Sequence, residues 1–134
     1  MKISKKEDFG LIFMSILAKD YSRKYIPLSF AARKSGLSLL FLKHIANNLK
    51  DKGLIESKEG VNGGYRLTRN SKDITISDIL ESISKGVVTP GCQKGVCRIK
   101  KEDCSCFSFW GKINKRLFSY LANISLFEYT NSEI

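Results

Sequence analysis

The sequence predicts a mainly α chain with a small β-wing: a winged helix-turn-helix domain followed by a long C-terminal dimerisation helix. Three observations carry that expectation. Two short amphipathic stretches meet at a tight turn around Gly36. A hairpin signal, VNGG at 61–64, separates two short runs of strand-forming residues. A late apolar stripe at helical spacing follows a cluster of four cysteines. At 134 residues, with 43% hydrophobic and 10% aromatic content, the chain sustains one real core and little more.

Ser4 and Glu7 form a capping-box pair ahead of Phe9, Ile12, Phe13, Ile16 and Leu17, whose spacing predicts a first helix over 5–19. Pro27 blocks its continuation, and 28–34 reads as a second helix closed by Gly36. Ser38 is placed to cap a third helix with Leu39, Leu42, Ile45, Ala46 and Leu49 on one stripe and polar or basic residues on the other face. Gly53 ends it. The runs 54–57 and 65–68 predict an antiparallel hairpin with its tip at Gly60, Asn62, Gly63 and Gly64. Thr75 or Ser77 starts a fourth helix that buries Ile79, Leu80 and Ile83 and ends near Lys85. Pro90 and Gly91 open the cysteine loop, and a last helix runs over about 104–123. Its stripe, on a solitary helix, calls for a second copy of the chain, so Trp110, Ile113, Leu117, Tyr120, Leu121 and Ile124 are the expected homodimer interface. The expected organisation is a DNA-binding domain over 1–86, a cysteine-rich cluster-binding loop over 87–106, and the dimerisation helix with a C-terminal segment over 107–134.

The formal net charge is +10, and it is uneven: residues 1–73 carry 15 Lys and Arg against 7 Asp and Glu, while 74–134 carry 8 against 6. A basic N-terminal half suits a polyanion, and double-stranded DNA fits a helix-turn-helix. Ser38, Phe41, Lys43, His44, Asn47 and Lys50 on the third helix, with Lys58, Asn62 and Arg66 on the hairpin, are the residues expected to touch it. His44 is the one histidine and has no evident nucleophile partner, and the glycines at 60–64 lie in a hairpin rather than between a strand and a helix. Neither an enzyme nor a small-molecule substrate is therefore expected. The N-terminus lacks a signal-peptide plan and no apolar run approaches a membrane span, which predicts a cytoplasmic protein.

Cys92, Cys97, Cys104 and Cys106 fall within fifteen residues. Where thiols are kept reduced, such a cluster reads as a metal or redox site before it reads as disulfides. No CxxC knuckle favours zinc, whereas cysteines on an irregular, glycine-containing loop converge readily on an iron-sulfur cluster. Two alternatives stand beside that reading. One is a cluster-free DNA-binding regulator with a thiol-disulfide or zinc switch; the other is a small iron-sulfur redox protein, which leaves the basic helix and wing unexplained.

The run LSLLFLKHIANNLKDKGLIESKEGVNGGYRL at 37–67, then ITISDILESI, then C-x4-C-x6-C and FW before the last helix, resembles the IscR/NsrR family of bacterial winged-helix transcription regulators. The resemblance implies a homodimer on partly palindromic operator DNA, with the third helix in the major groove and the wing beside the minor groove. It also implies a cluster, 4Fe-4S in preference to 2Fe-2S, held by Cys92, Cys97 and Cys104 plus one non-cysteine ligand, through which operator binding senses redox state, nitric oxide or iron-sulfur status. Two positions depart from the family pattern. Glu59-Gly60 stands where family wings often read Arg-Gly, leaving Lys58 or Arg66 as substitutes. Phe107 stands three residues after Cys104, where the IscR-like branch has a histidine ligand. The fourth ligand then falls to Asp8, which NsrR-like members match with a carboxylate donated from the other subunit, or to Cys106. If 104–106 is helical, Cys104 and Cys106 point about 200° apart, which weighs against Cys106.

Overall fold

The computed structural model describes residues 5–19, 24–84 and 98–132. Helix α1 (Lys5–Lys19) buries Phe13, Met14, Ile16 and Leu17 on one side, a spacing set by the helical period. Ile12, expected in that stripe, is 36% exposed, and Phe9 is half-buried. Gly10 takes a core position instead: a Cβ there would meet the Cδ1 tip of Ile83 on the fourth helix, which would have to shift to admit it. Glu7 is itself buried, while Ser4, its expected capping partner, lies outside the described residues.

Helix α2 (Leu28–Ser35) begins after Pro27 and stops at Gly36, whose φ of 73° is left-handed and whose N–H returns to the Ala32 carbonyl. Helix α3 (Leu39–Asp51) follows. Ser38 holds its N-cap position, but the hydroxyl makes no capping hydrogen bond, and Leu39 is half-exposed rather than part of the stripe formed by Leu42, Ile45, Ala46 and Leu49. Gly53, with φ 73°, reverses the chain, and the Leu54 N–H donates to the Leu49 carbonyl at 3.1 Å.

Strands β1 (Ile55–Lys58) and β2 (Gly64–Leu67) pair antiparallel in the register Ile55 with Leu67 and Lys58 with Gly64. Ile26 adds a third rung that the sequence did not announce. Its N–H donates to the Tyr65 carbonyl at 2.8 Å and its carbonyl accepts from the Tyr65 N–H at 2.9 Å. Gly64 makes this fit, and Gly63 closes the hairpin tip. A Cβ on Gly64, whose φ is 143°, would collide with the Ile26 carbonyl, and one on Gly63 with the Lys58 carbonyl.

Helix α4 (Ile76–Ile83) is capped by Thr75, not Ser77. The Asp78 N–H donates to Thr75 Oγ1 at 3.1 Å, and the Thr75 N–H donates to Asp78 Oδ2 at 3.0 Å. Ser77 is buried inside the helix and donates to Glu81 Oε1 at 3.2 Å. Helix α5 (Ser105–Leu121) buries none of its residues, although Phe118, Leu121 and the following Ile124 rest against the core. A short helix that the sequence pattern does not reveal, α6 (Leu126–Thr130), then turns the chain back onto α1. Leu126 is fully buried, and its N–H donates to the Ile74 carbonyl at 2.7 Å, while the Ile76 N–H donates to the Ile124 carbonyl at 2.9 Å. The last segment thus belongs to the same core as α1, α3 and α4.

Candidate nucleic-acid interface and cysteine region

Helices α2 and α3, joined by the Gly36 turn, form a helix-turn-helix, and the β1–β2 hairpin stands beside α3 as a wing. Lys43, His44, Asn47 and Lys50 are all exposed on α3. By the rotation of about 100° per residue, His44 and Asn47 point nearly opposite the buried stripe, with Lys43 and Lys50 along one edge. Phe41 is differently employed: its ring meets that of Phe9 edge-to-face, centroids 5.3 Å apart, so it ties α3 to α1. Ser38 is exposed at the start of α3, its oxygen not spent on the cap.

Lys50 reaches across to the wing and donates to Ser57 Oγ at 2.6 Å. Arg66, expected to serve the groove, is committed within the wing. Its Nε pairs with Glu56, its cross-strand neighbour, and its guanidinium lies over the Tyr25 ring at 4.4 Å. The Lys58 ammonium lies over the same ring, 5.9 Å from its centroid, and the side chain is exposed. Asn62 is exposed at the hairpin tip next to Val61, which is fully exposed. Tyr25 escapes a reading of the sequence alone, since no periodicity marks a residue beside a one-rung bridge. Leu40 escapes it as well, although its place on the polar face follows from the spacing to Lys43 and His44.

Of the proposed cluster ligands, Cys92 and Cys97 lie outside the described residues. Cys104 is half-buried at the N-cap of α5, where its Sγ accepts a hydrogen bond from the Phe107 N–H at 3.4 Å. An N–H donated to a thiolate is the contact that supports a sulfur ligand, so Cys104 fits that role. Cys106 is exposed in the first turn of the helix, and both cysteines are free thiols. Asp8 is exposed in the first turn of α1. Among the described residues no three His, Cys, Asp or Glu side chains converge, so nothing within that set makes a closed site. Phe107 is half-buried and carries the Lys101 ammonium 5.5 Å above its ring.

Along α5, Trp110, Ile113 and Leu117 are half-buried, Tyr120 and Phe109 are exposed, and the rings of Phe109 and Trp110 meet at 5.0 Å. Leu121 and Ile124, expected at the dimer seam, face the chain's own core. No helix among the described residues is long and apolar enough to cross a membrane.

A helix-turn-helix with a two-stranded wing and a basic face on its second helix defines a winged-helix DNA-binding protein. Residues 3–131 match the Rrf2 family, described as an iron-dependent transcriptional regulator, and the chain belongs to that family. It is 27% identical to the HTH-type transcriptional regulator IscR of Klebsiella pneumoniae, over 99% of this chain and 82% of that one, and equally so to IscR of Escherichia coli K12. Among solved structures it resembles T. potens IscR, with 26% identity, a TM-score of 0.77, and 100% and 89% of the two chains covered. It also resembles CymR, the global cysteine regulator of B. subtilis, with 26% identity, a TM-score of 0.76 and 98% of both chains covered. The oxidised form of Staphylococcus aureus CymR is similar at 30% identity and a TM-score of 0.68, covering 94% of this chain and 93% of that one.

Proposed function

We propose that this transcription regulator binds operator DNA as a homodimer, and that an iron-sulfur cluster held by Cys92, Cys97 and Cys104 sets its affinity. The carrying observation is the position of Cys104: it caps α5, a helix none of whose residues is fully buried among the described residues, with Trp110, Ile113 and Leu117 of its stripe only half-covered. A 4Fe-4S group fits the reading better than 2Fe-2S, with Asp8 of the partner subunit as the fourth ligand in preference to Cys106. Bound there, it would supply an iron centre responsive to oxidants, nitric oxide or iron supply.

The chain's own residues explain how such a loop reaches the DNA. Phe118, Leu121 and Leu126 fix the far end of α5 to the core that carries α3. Trp110, Ile113 and Leu117, nearer Cys104, form the seam to the second copy. Whatever draws on Cys104 therefore acts on the joint between the seam and the domain. Two recognition helices must match half-sites about 34–36 Å apart, so a small change at that joint alters affinity. Anaerobic purification followed by operator titration tests the proposal. A brown protein with stoichiometric iron and sulfide, whose operator affinity changes when the cluster is removed, is expected. Equal affinity with and without the cluster refutes the switch while leaving the DNA binding intact.

The likeness to CymR supports a second reading, in which the thiols themselves are the sensor and no cluster is held. The exposed Cys106 suits that chemistry. A colourless anaerobic protein whose operator affinity responds to a thiol oxidant selects it.

A further inference from the structure

We propose that Leu40 is a specificity-determining residue that packs against the C5-methyl group of a thymine in each operator half-site. The inference rests on the DNA-binding reading above and deepens it. Leu40 is 79% exposed, in the first turn of α3, and contributes nothing to the core. It is not a stray residue at the margin of the buried stripe. By the helical rotation it lies in one row with His44 and Asn47, within about 60° of both and nearly opposite Leu42, Ile45 and Leu49. Folding alone gives a leucine no reason to stand at the centre of a polar, basic face.

Groove chemistry gives it one. The first residues of a recognition helix are those that reach base edges. In the major groove, the thymine methyl is the apolar group presented by a base pair, and an aliphatic side chain reads it without any hydrogen bond. The surroundings of Leu40 suit that contact. With Phe9, Phe41 and His44 it lines a shallow, mostly apolar depression, to which Lys5 and Ser38 also contribute. Lys5 and Ser38 offer an ammonium and a hydroxyl suited to flanking phosphates, and the apolar lining suits a methyl group. Lys43, one turn along the same helix, keeps the face attractive to a polyanion.

The test uses duplexes selected from random sequence by the full-length protein, then resynthesised with deoxyuridine replacing thymidine one position at a time. Deoxyuridine removes the methyl and keeps every Watson–Crick hydrogen bond. The wild-type protein is expected to lose about fourfold in affinity at one thymine per half-site, the value of burying one methyl-sized group. Leu40→Ala, which leaves the core intact, is expected to bind the thymine and deoxyuridine duplexes equally while keeping the same salt dependence. Uniform tolerance of deoxyuridine by the wild type overturns the proposal, as does a Leu40→Ala protein that still distinguishes the two bases. A Leu40→Ala protein that self-associates less and reads thymine as before overturns it too, and assigns the depression to a second copy of the chain. Failure to select any duplex refutes the DNA-binding reading itself, which separates the two failures.

Discussion

Gly60→Ala and Gly64→Ala make a matched pair that measures how much the bridge to Ile26 stabilises the wing. Both glycines have positive φ, 106° and 143°, so an alanine strains the backbone at either site by about 1–3 kcal/mol. Their surroundings differ. A Cβ at Gly60 meets nothing within 4 Å, whereas one at Gly64 runs into the Ile26 carbonyl and the Pro27 nitrogen, which are backbone atoms and cannot swing aside. To admit the methyl, the segment at Ile26 must move off β2, and its two hydrogen bonds with Tyr65 break. At about 0.5–1.5 kcal/mol each, those bonds add about 1–3 kcal/mol to the cost at Gly64 alone. Urea denaturation of both variants, with amide exchange read at Ile26 and Tyr65, measures the difference. Gly64→Ala should be the less stable by that margin and should lose protection at both amides. Equal stability of the two variants, or retained protection in Gly64→Ala, would refute the bridge as the reason for glycine there.

Lys43→Ala should lower the slope of log affinity against log salt by about 0.9 for each phosphate that the ammonium neutralises, without changing thermal stability; salt titration of operator binding checks it. Arg66→Ala should leave that slope unchanged and cost stability instead, about 1 kcal/mol by thermal unfolding, because its charge is spent on Glu56 and Tyr25. Leu126→Ala should cost about 2–5 kcal/mol despite its place near the chain end, since the side chain is fully buried. The Glu128 carboxyl is held below its ordinary value of 4.5 by the Ser125 N–H and hydroxyl, so its contribution is present above pH 4.5 and is lost as pH falls through the lower folded value. Glu128→Gln should accordingly melt below the wild type at pH 7, and the gap should narrow as pH falls below 4.5.

Much of the fold was legible because single residues punctuate it. Pro27, Gly36 and Gly53 mark helix ends by conformations that few other residues adopt, and the helical period placed Phe13, Leu42, Ile45 and Ile79 in the core. What escaped has a common cause in pairings distant along the chain. Ile26 meets Tyr65 across almost forty positions, and no local pattern announces a one-rung bridge. The turn of α6 back onto α1 depends on Ile74 and Leu126 meeting, and a five-residue helix carries too little periodicity to be seen. In the candidate site, the helical period put Lys43, His44 and Asn47 on the outer face of α3, where they are exposed. The hydrogen bond of Lys50 and the stacking of Arg66 depended on where the wing strands come to rest, which the sequence does not encode locally.

Those two side chains also restrict how a signal can act. Lys50 joins α3 to β1 through Ser57, Arg66 joins β2 to β1 through Glu56, and the wing is tied back to the start of α2 through Tyr25 and Ile26. Recognition helix and wing are therefore bound into one body by interactions that do not involve α5. On the cluster reading, a change at Cys104 would meet α5 first, and among the described residues α5 packs chiefly against α4, with Phe118 and Leu121 at its far end resting on the core. The geometry within one half-site should then stay fixed while the distance between two half-sites changes. Base preferences inside a half-site would be the same in both signalling states, and discrimination between operators would follow the spacing of their halves.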